Sequence, residues 1–311
     1  MTSLASNSVD DAHRAYRDEL LRHGLLISMG VDGLYGRSGV FEHAIERINA
    51  AIGAVGDPDG PEVMRFPPGM AKWQLEKSGY VRKFPQLAGT VHSFSGSDRE
   101  HRALVDALEK GRDWTKTQAT TEIALAPAAC YGVYPVVAAR GRLSEAGALV
   151  DVYAYCFRHE PSIDPARMQM FRQREHVRLG TLEQTTDFRE RWLSRGRALV
   201  ESFGLPCDVV VANDPFFGRA GKLLATNQRE ENLKFELLVP ITSQEHPTAC
   251  VSFNDHRDLF GRAWAIETAS GEPARSACVG FGVERIALAL FRHHGFAFKD
   301  WPGKVRDVLG L

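Results

Sequence analysis

Two predicted strands carry side chains that suit the binding of a nucleotide. The first holds Cys156, Arg158 and Glu160 at alternate positions, and a short loop separates it from the second, which holds Phe171 and Glu175. Side chains two residues apart in a strand share a face, so a hairpin would present guanidinium, carboxylate and aromatic groups together. A planar guanidinium fits phosphate oxygens, and an aromatic face suits a stacked purine. The competing interpretation is a surface hairpin with ordinary ion pairs.

A segment of small residues late in the chain is the second candidate. Gly280 and Gly282 precede Arg285 and the apolar run Ile286–Leu290. Small residues let a strand turn directly into a helix with close backbone approach, which would place Arg285 in the first helical turn. A lone Gly-x-Gly is weak evidence for a functional segment, but its position after the hairpin strengthens that interpretation.

Hydrophobic periodicity predicts the elements that position these residues. The predicted helices are Asp10–His23, Phe41–Ile52, Lys72–Gly79, Asp98–Lys110, Asp187–Phe203 and Val283–His293. The predicted strands are Thr120–Ala126, Gly147–Arg158, Met168–Leu179, Cys207–Ala212, Leu233–Pro240, Thr248–Asn254 and Ala263–Ala269. Strands in a row with helices at both ends indicate an α+β fold with a mainly antiparallel sheet.

Composition excludes several classes of protein. The 311 residues are 44% hydrophobic and 25% charged, which is typical of a folded globular chain. There is no apolar run long enough for a membrane span and no secretory pattern at the N-terminus, so we expect a cytoplasmic protein. The five cysteines are scattered, which argues against a disulfide framework. A net charge of −1 argues against a protein that binds nucleic acid tightly, although it leaves room for a local basic patch.

The chain resembles the class II aminoacyl-tRNA synthetases, and among them the seryl enzymes. The resemblance extends from about Thr120 to Leu290 and rests on segments similar to motif 2 (Cys156–Glu160 with Arg167–Phe171), motif 3 (Gly280–Arg285), the loop that faces the amino acid (Thr120–Glu122) and the nucleotide-binding strand (Ala249–Ser252). It implies an antiparallel sheet flanked by helices, and a reaction in which ATP activates an amino acid as its adenylate.

The resemblance also implies roles for individual residues. Arg158 would hold the α-phosphate, Glu160 the adenine edge or the substrate amine, and Phe171 and Arg285 would sandwich the adenine, with Arg285 also reaching the γ-phosphate. The catalytic set is then Arg158, Glu160 and Arg285. The full ATP-binding set is Arg158, Glu160, Arg167, Met168, Phe171, Ala249, Cys250, Val251, Ser252 and Arg285, and the amino acid set is Glu122, Glu160, Glu175 and Asp214.

Cys130, Glu175 and Cys278 are the candidate metal ligands. A subgroup of seryl enzymes in methanogens has a Cys, Glu, Cys zinc site at similar places, which implies one Zn²⁺ per chain here. Two thiolates and one carboxylate leave a fourth tetrahedral position open, which would take the amino group of a small amino acid. The alternatives are three unrelated residues with buried thiols, or a structural site completed by His176 or Cys156.

Departures from the seryl enzymes point to a different acceptor. The residues before Thr120 show no sustained heptads, the loop Pro161–Ala166 is short, and about twenty residues follow motif 3. In these features the chain resembles the amino acid:[carrier protein] ligases, which pass glycine or alanine to the phosphopantetheine thiol of a carrier protein. Carrier proteins are typically acidic, which suits a basic helix at Arg219–Arg229. The rival interpretations are a truncated seryl-type tRNA synthetase and a non-catalytic regulatory paralogue.

The organisation follows from the same resemblance. We expect one catalytic domain over residues 1–311, with a helical and dimerisation part up to about 118 and the sheet core from about 119. A homodimer would form through a motif 1 near Arg65–Pro68 with Lys72–Gly79, or in the stretch up to Pro85. Mg²⁺ would accompany ATP, although Ala249–Ser252 has Ala or Cys where the family usually offers an acid for magnesium.

Overall fold

The computed structural model describes residues 2–311, apart from the side chains of residues 2–8, 219 and 220. Its helices are α1 (Thr2–Arg22), α2 (Gly39–Gly56), α3 (Lys72–Lys77), α4 (Tyr80–Lys83), α5 (Asp98–Glu109), α6 (Val133–Ala139), α7 (Leu182–Ser202), α8 (Gly218–Glu230), α9 (Leu259–Trp264), α10 (Val283–His294) and α11 (Gly303–Leu309). Its strands are β1 (Leu26–Val31), β2 (Leu34–Arg37), β3 (Glu62–Arg65), β4 (Gly69–Ala71), β5 (Thr90–Phe94), β6 (Gln118–Leu125), β7 (Ala148–Phe157), β8 (Met170–Gly180), β9 (Asp208–Val211), β10 (Lys234–Val239), β11 (Thr248–Arg257) and β12 (Arg275–Gly282).

A seven-stranded sheet organises the chain. Its strand order is β3-β7-β8-β12-β11-β10-β9, and every neighbouring pair is antiparallel except β3 with β7. A three-stranded sheet of β4, β6 and β5 and a separate β1–β2 hairpin accompany it. The predicted α+β architecture with a mainly antiparallel sheet is therefore confirmed.

The two faces of the large sheet have different surroundings. On one face, apolar residues such as Val279 and Phe281 belong to a large core shared with α2, α7 and α10. On the other face, a smaller core contains Cys278 together with residues of α6 and α9. This second core covers part of its face, and the rest of that face is the floor of a cavity.

Most predicted elements are present, with one clear difference. The segment Ala263–Ala269 was expected to be a strand, but α9 ends at Trp264 and Ala265 takes a left-handed conformation with a φ of 54°. Glu267 forms an isolated bridge to Pro273, so the segment is a tight return. Burial of Trp264 and Ile266 gives it the alternating pattern that resembles a strand.

The N-terminal 118 residues contribute strands as well as helices. β1 to β5 lie within this part, and β3 pairs with β7 of the large sheet. These strands have three to six residues, which is too short for a clear alternating pattern. The division of the chain near residue 118 stays a prediction. Within the described residues, no helix combines the length and the apolar content that crossing a membrane requires.

His176 ties the sheet to the helical layer and is held neutral there. Its ring stacks on Trp192 of α7 with centroids 4.6 Å apart, and it packs against Gly56 of α2. Burial lowers the pKa of His176 to about 4, and its Nε2 has no hydrogen-bond partner among the residues described.

We expect His176 to make the folded state sensitive to acid. The unfolded chain takes up this proton near pH 6.5, whereas the folded protein resists it down to about pH 4. Folding stability from this residue is therefore complete above pH 6.5 and falls as the pH drops, by about 3 kcal/mol in all. Urea denaturation between pH 7 and pH 4 would show a shallower loss for His176→Phe than for the wild type. An equal loss of unfolding free energy with falling pH in both proteins would contradict the low pKa of His176.

Candidate active site

The register of five neighbouring strands assembles the site on one face of the large sheet. Residues paired across strands share a face, and the pairs run from Cys156 to Phe171, Glu175 to Gly280, Gly280 to Ser252, Asn254 to Cys278, and Lys234 to Asn254. Side chains from β7, β8, β12, β11 and β10 therefore converge. This confirms the predicted common face for Cys156, Phe171 and Glu175 and extends it to three more strands. Because β7 ends at Phe157, Arg158 and Glu160 lie beyond the paired strand and reach the same cavity from the loop.

A cavity of about 400 Å³ lies over this face. Its volume falls within the range of small-molecule sites. Among its lining residues are these predicted ones: Cys130, Arg158, Glu160, Met168, Phe171, Glu175, Asp214, Ala249, Cys250, Val251, Ser252, Cys278 and Arg285. The structure thus brings together most of the residues selected from the sequence.

Two predicted residues lie outside the cavity lining. Glu122, predicted to belong to the amino acid set, has a side chain that is 88% exposed and lies 3.8 Å from Lys72, outside the lining of the cavity. It lies on β6, in the small sheet, where the neighbouring cation attracts it. Arg167 is at the rim, with a side chain 56% exposed, and its guanidinium is 3.5 Å from Glu160.

Two arginines hold their guanidinium groups in the cavity through backbone carbonyls. Arg158 donates from Nε to Pro127 O at 3.1 Å and lies over the Phe171 ring at 5.4 Å. Arg285 donates to Ala166 O and Ala249 O at 2.9 and 2.8 Å. A guanidinium has five N–H donors, so each arginine keeps donors for an anion.

Cys130, Glu175 and Cys278, named here the Cys–Glu–Cys group, lie together in the wall of the cavity. One ligand atom from each falls within 4.8 Å of the others, and all three residues are buried. The Cys130 backbone N–H donates to Glu175 Oε1 at 3.2 Å. Burial and the nearby Cys278 raise the pKa of the Glu175 carboxyl to about 8. Three buried acidic groups at this separation repel one another when ionised, and a bound cation relieves that repulsion.

Three polar residues of the site were missed from the sequence. Asn254 and His256 each approach Cys278 Sγ to 3.4 Å, and Lys234 forms an ion pair with Asp214 at 2.6 Å. Ser252, Asn254 and His256 alternate along β11, and this alternation of polar residues was the signal that could have revealed two of them. Lys234 has no such local signal, because its partner is distant in the chain.

Asp214 connects the cavity to α8. Gln228 of that helix donates to Asp214 Oδ2 at 2.8 Å and accepts from the Asp214 backbone N–H at 2.7 Å. Lys234 and Gln228 hold the pKa of the Asp214 carboxyl below its usual value against the effect of burial. The predicted helix at Arg219–Arg229 is present as α8, although the side chain of Arg219 lies outside the described residues.

The opposite face of β8 anchors the site to the helices. Arg172 pairs with Glu284, at the start of α10, through Nε at 2.7 Å and through its backbone N–H at 2.8 Å. The same guanidinium makes two hydrogen bonds to Glu42 of α2, at 2.6 and 2.9 Å. This buried network fixes the helix that carries Arg285 against the strand that carries Phe171.

Comparisons with known proteins add two curated relatives of similar length. The chain is 49% identical over 287 residues to amino acid--[acyl-carrier-protein] ligase 1 of Bradyrhizobium diazoefficiens, covering 92% of this chain and 88% of that protein. It is 47% identical over 291 residues to ligase 2 of the same organism, and the match covers 94% of this chain and 87% of that protein. The chain matches no protein-family model.

The solved structures show the fold. The crystal structure of the M. kandleri seryl-tRNA synthetase in complex with the A. aeolicus tRNASec matches with a TM-score of 0.80 and 20% identity. The match covers 94% of this chain and 60% of that one, so this chain spans less than two thirds of the synthetase. The predicted class II synthetase fold is confirmed.

We expect Glu284→Gln to destabilise the protein by about 3 kcal/mol, because it leaves the buried Arg172 guanidinium with an incomplete set of charged partners. The matched control is Glu46→Gln on α2, whose side chain is 73% exposed and which should change the free energy of unfolding by less than about 0.5 kcal/mol. Urea denaturation of both variants measures the difference. Equal effects would show that the buried network does not anchor α10.

Proposed function

This chain belongs to the amino acid--[acyl-carrier-protein] ligase family, and we propose that it activates glycine or alanine with ATP and transfers the aminoacyl group to a carrier protein. The acceptor is the thiol of the carrier's phosphopantetheine arm. The observation that carries the proposal is one cavity that holds two anchored guanidinium groups, an aromatic ring and the Cys–Glu–Cys group. The guanidinium groups and the aromatic ring suit ATP, and the Cys–Glu–Cys group suits the amino group of a small amino acid.

ATP would occupy the part of the cavity between the motif 2 hairpin and α10. Phe171 and Arg285 would cover the two faces of the adenine, and Arg158 would hold the α-phosphate. Met168 and the β11 segment Ala249–Ser252 would line the nucleotide, and Arg167 would approach from the rim. Mg²⁺ would accompany the phosphates.

Adenylation needs positioning and positive charge more than acid or base groups. A carboxylate oxygen of the amino acid attacks the α-phosphorus, an oxygen–phosphorus bond forms, and pyrophosphate leaves with the electrons of the bond that breaks. Negative charge develops on the α-phosphate oxygens during this step. The fixed guanidinium of Arg158 would stabilise this charge without reorganising. Glu160 would receive the adenine edge or the substrate amine.

The Cys–Glu–Cys group fits one Zn²⁺ ion per chain. Two thiolates and one carboxylate are suitable zinc ligands, and their mutual approach within 4.8 Å suits a shared ion. When bound, zinc supplies a fourth coordination position for the α-amino group of the substrate. Cys130, just before α6, and Cys278, on β12, would hold the ion together with Glu175 on β8. Asp214 would contact the amino acid from the α8 side.

The second half-reaction transfers the aminoacyl group to the carrier. The phosphopantetheine thiolate attacks the carbonyl carbon, a thioester forms, and AMP leaves as the carbon–oxygen bond breaks. The surface of α8 is the proposed docking site because Lys222 and Leu223 are exposed there while Leu224 and Gln228 line the cavity. An acidic carrier bound to α8 would therefore lie beside the cavity mouth.

We propose a homodimer in the cytoplasm, with tRNA not a substrate. Apolar side chains exposed on two short strands support the dimer: Ile27, Met29 and Val31 on β1, and Val63 on the edge strand β3. Each of the four is more than half exposed in the single chain. Burying them against a second copy would remove that surface from water.

The proposed activity is tested by ATP–pyrophosphate exchange across the twenty amino acids, with zinc measured in the same sample. We expect exchange with glycine or alanine alone and about one zinc per chain. Radiolabelled amino acid is then offered to a phosphopantetheinylated carrier protein and to bulk tRNA, and we expect label on the carrier only. Label on tRNA would favour a truncated synthetase. Folded, zinc-loaded protein without any exchange would favour a regulatory paralogue.

We expect Lys222→Glu to slow carrier aminoacylation about fivefold relative to pyrophosphate exchange, because it places a negative charge against an acidic partner. The matched control is Lys299→Glu, an exposed lysine in the segment between α10 and α11. This control should leave the ratio of the two rates as in the wild type. If both variants give the same ratio, the carrier does not dock on α8.

A further inference from the structure

Cys278 differs from Cys130 in the side chains that approach its sulfur. Asn254 Nδ2 and His256 Nε2 each lie 3.4 Å from Cys278 Sγ. Both residues belong to β11, which pairs with β12, and Asn254 lies directly opposite Cys278. In a regular strand alternate residues are about 6.6 Å apart, so two of them do not normally reach one atom across the ladder.

A β-bulge explains how His256 reaches the sulfur. Asp255 pairs with Ala277 and Arg257 with Ser276, so His256 is the extra residue on β11 and has no partner on β12. Arg257, the next residue, has a φ of 53°, a conformation that a non-glycine residue adopts at an energetic cost. Bulges beside active sites commonly redirect a side chain, and this one directs His256 toward Cys278.

The ring of His256 is held by aromatic neighbours. It meets Phe260 of α9 edge-on, with centroids 5.1 Å apart and planes at 79°. Phe260 in turn stacks on Tyr134 of α6, with centroids 4.0 Å apart and planes at 14°. Two helices of the smaller core therefore fix the direction of the imidazole.

His256 is not one of the three clustered ligands. The ligand atoms of the Cys–Glu–Cys group lie within 4.8 Å of one another, and His256 does not belong to that group. Its Nε2 is instead turned to the sulfur of Cys278. Hydrogen bonds from such neighbours orient a metal ligand and tune the metal, and their loss typically weakens metal binding.

We propose that His256 is a positioning residue for the metal site: its Nε2–H donates a hydrogen bond to Cys278 Sγ and holds that sulfur in the direction required for zinc. This inference rests on the zinc site of the proposed function. The fourth coordination position then stays available to the substrate amine, because His256 binds the sulfur and not the ion. The strained bulge at Asp255–Arg257 serves this placement.

The test compares His256→Ala and His256→Gln for zinc affinity, measured by competition with a chromophoric chelator. We expect His256→Ala to bind zinc about 10- to 100-fold more weakly than the wild type. In His256→Gln the side-chain amide keeps an N–H donor, so affinity should recover to within a few-fold. The control His246→Ala removes an exposed histidine and should bind zinc as the wild type does.

The visible spectrum of the cobalt(II)-loaded protein separates positioning from direct ligation. If His256 positions Cys278, His256→Ala keeps the thiolate-to-cobalt bands and the intensity of a tetrahedral site. A change of coordination number in that variant would make His256 a ligand and overturn the proposal. Unchanged zinc affinity in His256→Ala would overturn it as well.

A wild-type reference distinguishes failure of this inference from failure of the proposed function. Wild-type protein that binds no zinc, with folding verified by circular dichroism, would remove the metal site and this inference with it. Zinc binding by the wild type with pyrophosphate exchange absent would leave the role of His256 intact and remove the enzyme activity. Cys278→Ser supplies the spectrum of a site with one thiolate.

Discussion

The register of the central antiparallel strands is the constraint on which the site depends. Side chains alternate between the faces of a strand, so a slip of one residue between β8 and β12 would move Glu175 away from Gly280 and Cys278. The opposite face of β8 opposes such a slip. There Arg172 of β8 binds Glu284, which follows β12, in a buried pair that a shift between β8 and β12 would break. Arg174 binds Asp151 of β7 in a second buried pair, which opposes a shift between β7 and β8. The ion pairs on the structural face thereby specify the geometry of the functional face.

The functional face in turn concentrates groups that a protein interior normally avoids. Glu175 and two thiols are buried within 4.8 Å of one another, and the carboxyl has its pKa raised to about 8. Such an arrangement is destabilising unless a cation or a precise set of donors compensates it. The Cys130 N–H donates to Glu175 and the Asn254 amide donates to Cys278, which favours the ionised ligands, and His256 Nε2 lies 3.4 Å from the same sulfur. The polar floor and its buried cluster of acidic groups are thus properties of the same strand register.

Much of this site could be predicted from the sequence, because its residues alternate within strands that the pattern identifies. Arg158 and Phe171 follow from the period of two, and Arg285 follows from a glycine-rich entry into a helix. The same period of two marks His256 as a polar residue of β11, but its approach to Cys278 Sγ depends on a bulge that only the pairing of β11 with β12 reveals. Glu122 shows the reverse case. It belongs to the recognisable local pattern Thr120–Glu122, but its side chain on β6 faces Lys72 and solvent. Local periodicity identifies faces, whereas long-range pairing decides which faces meet.

The link between α8 and the sheet shows how a surface element can share in such a site. The described side chains of α8 are mostly exposed, yet Gln228 accepts a hydrogen bond from the Asp214 backbone N–H and donates one to the Asp214 carboxylate. Asp214 is also paired with Lys234, which stands on the functional face beside Asn254. Leu224 and Gln228 of α8 themselves line the cavity, so a displacement of α8 would change the cavity directly as well as through Asp214 and Lys234. Asp214 and Lys234, which both line the cavity, are connected to α8 through two hydrogen bonds and one ion pair.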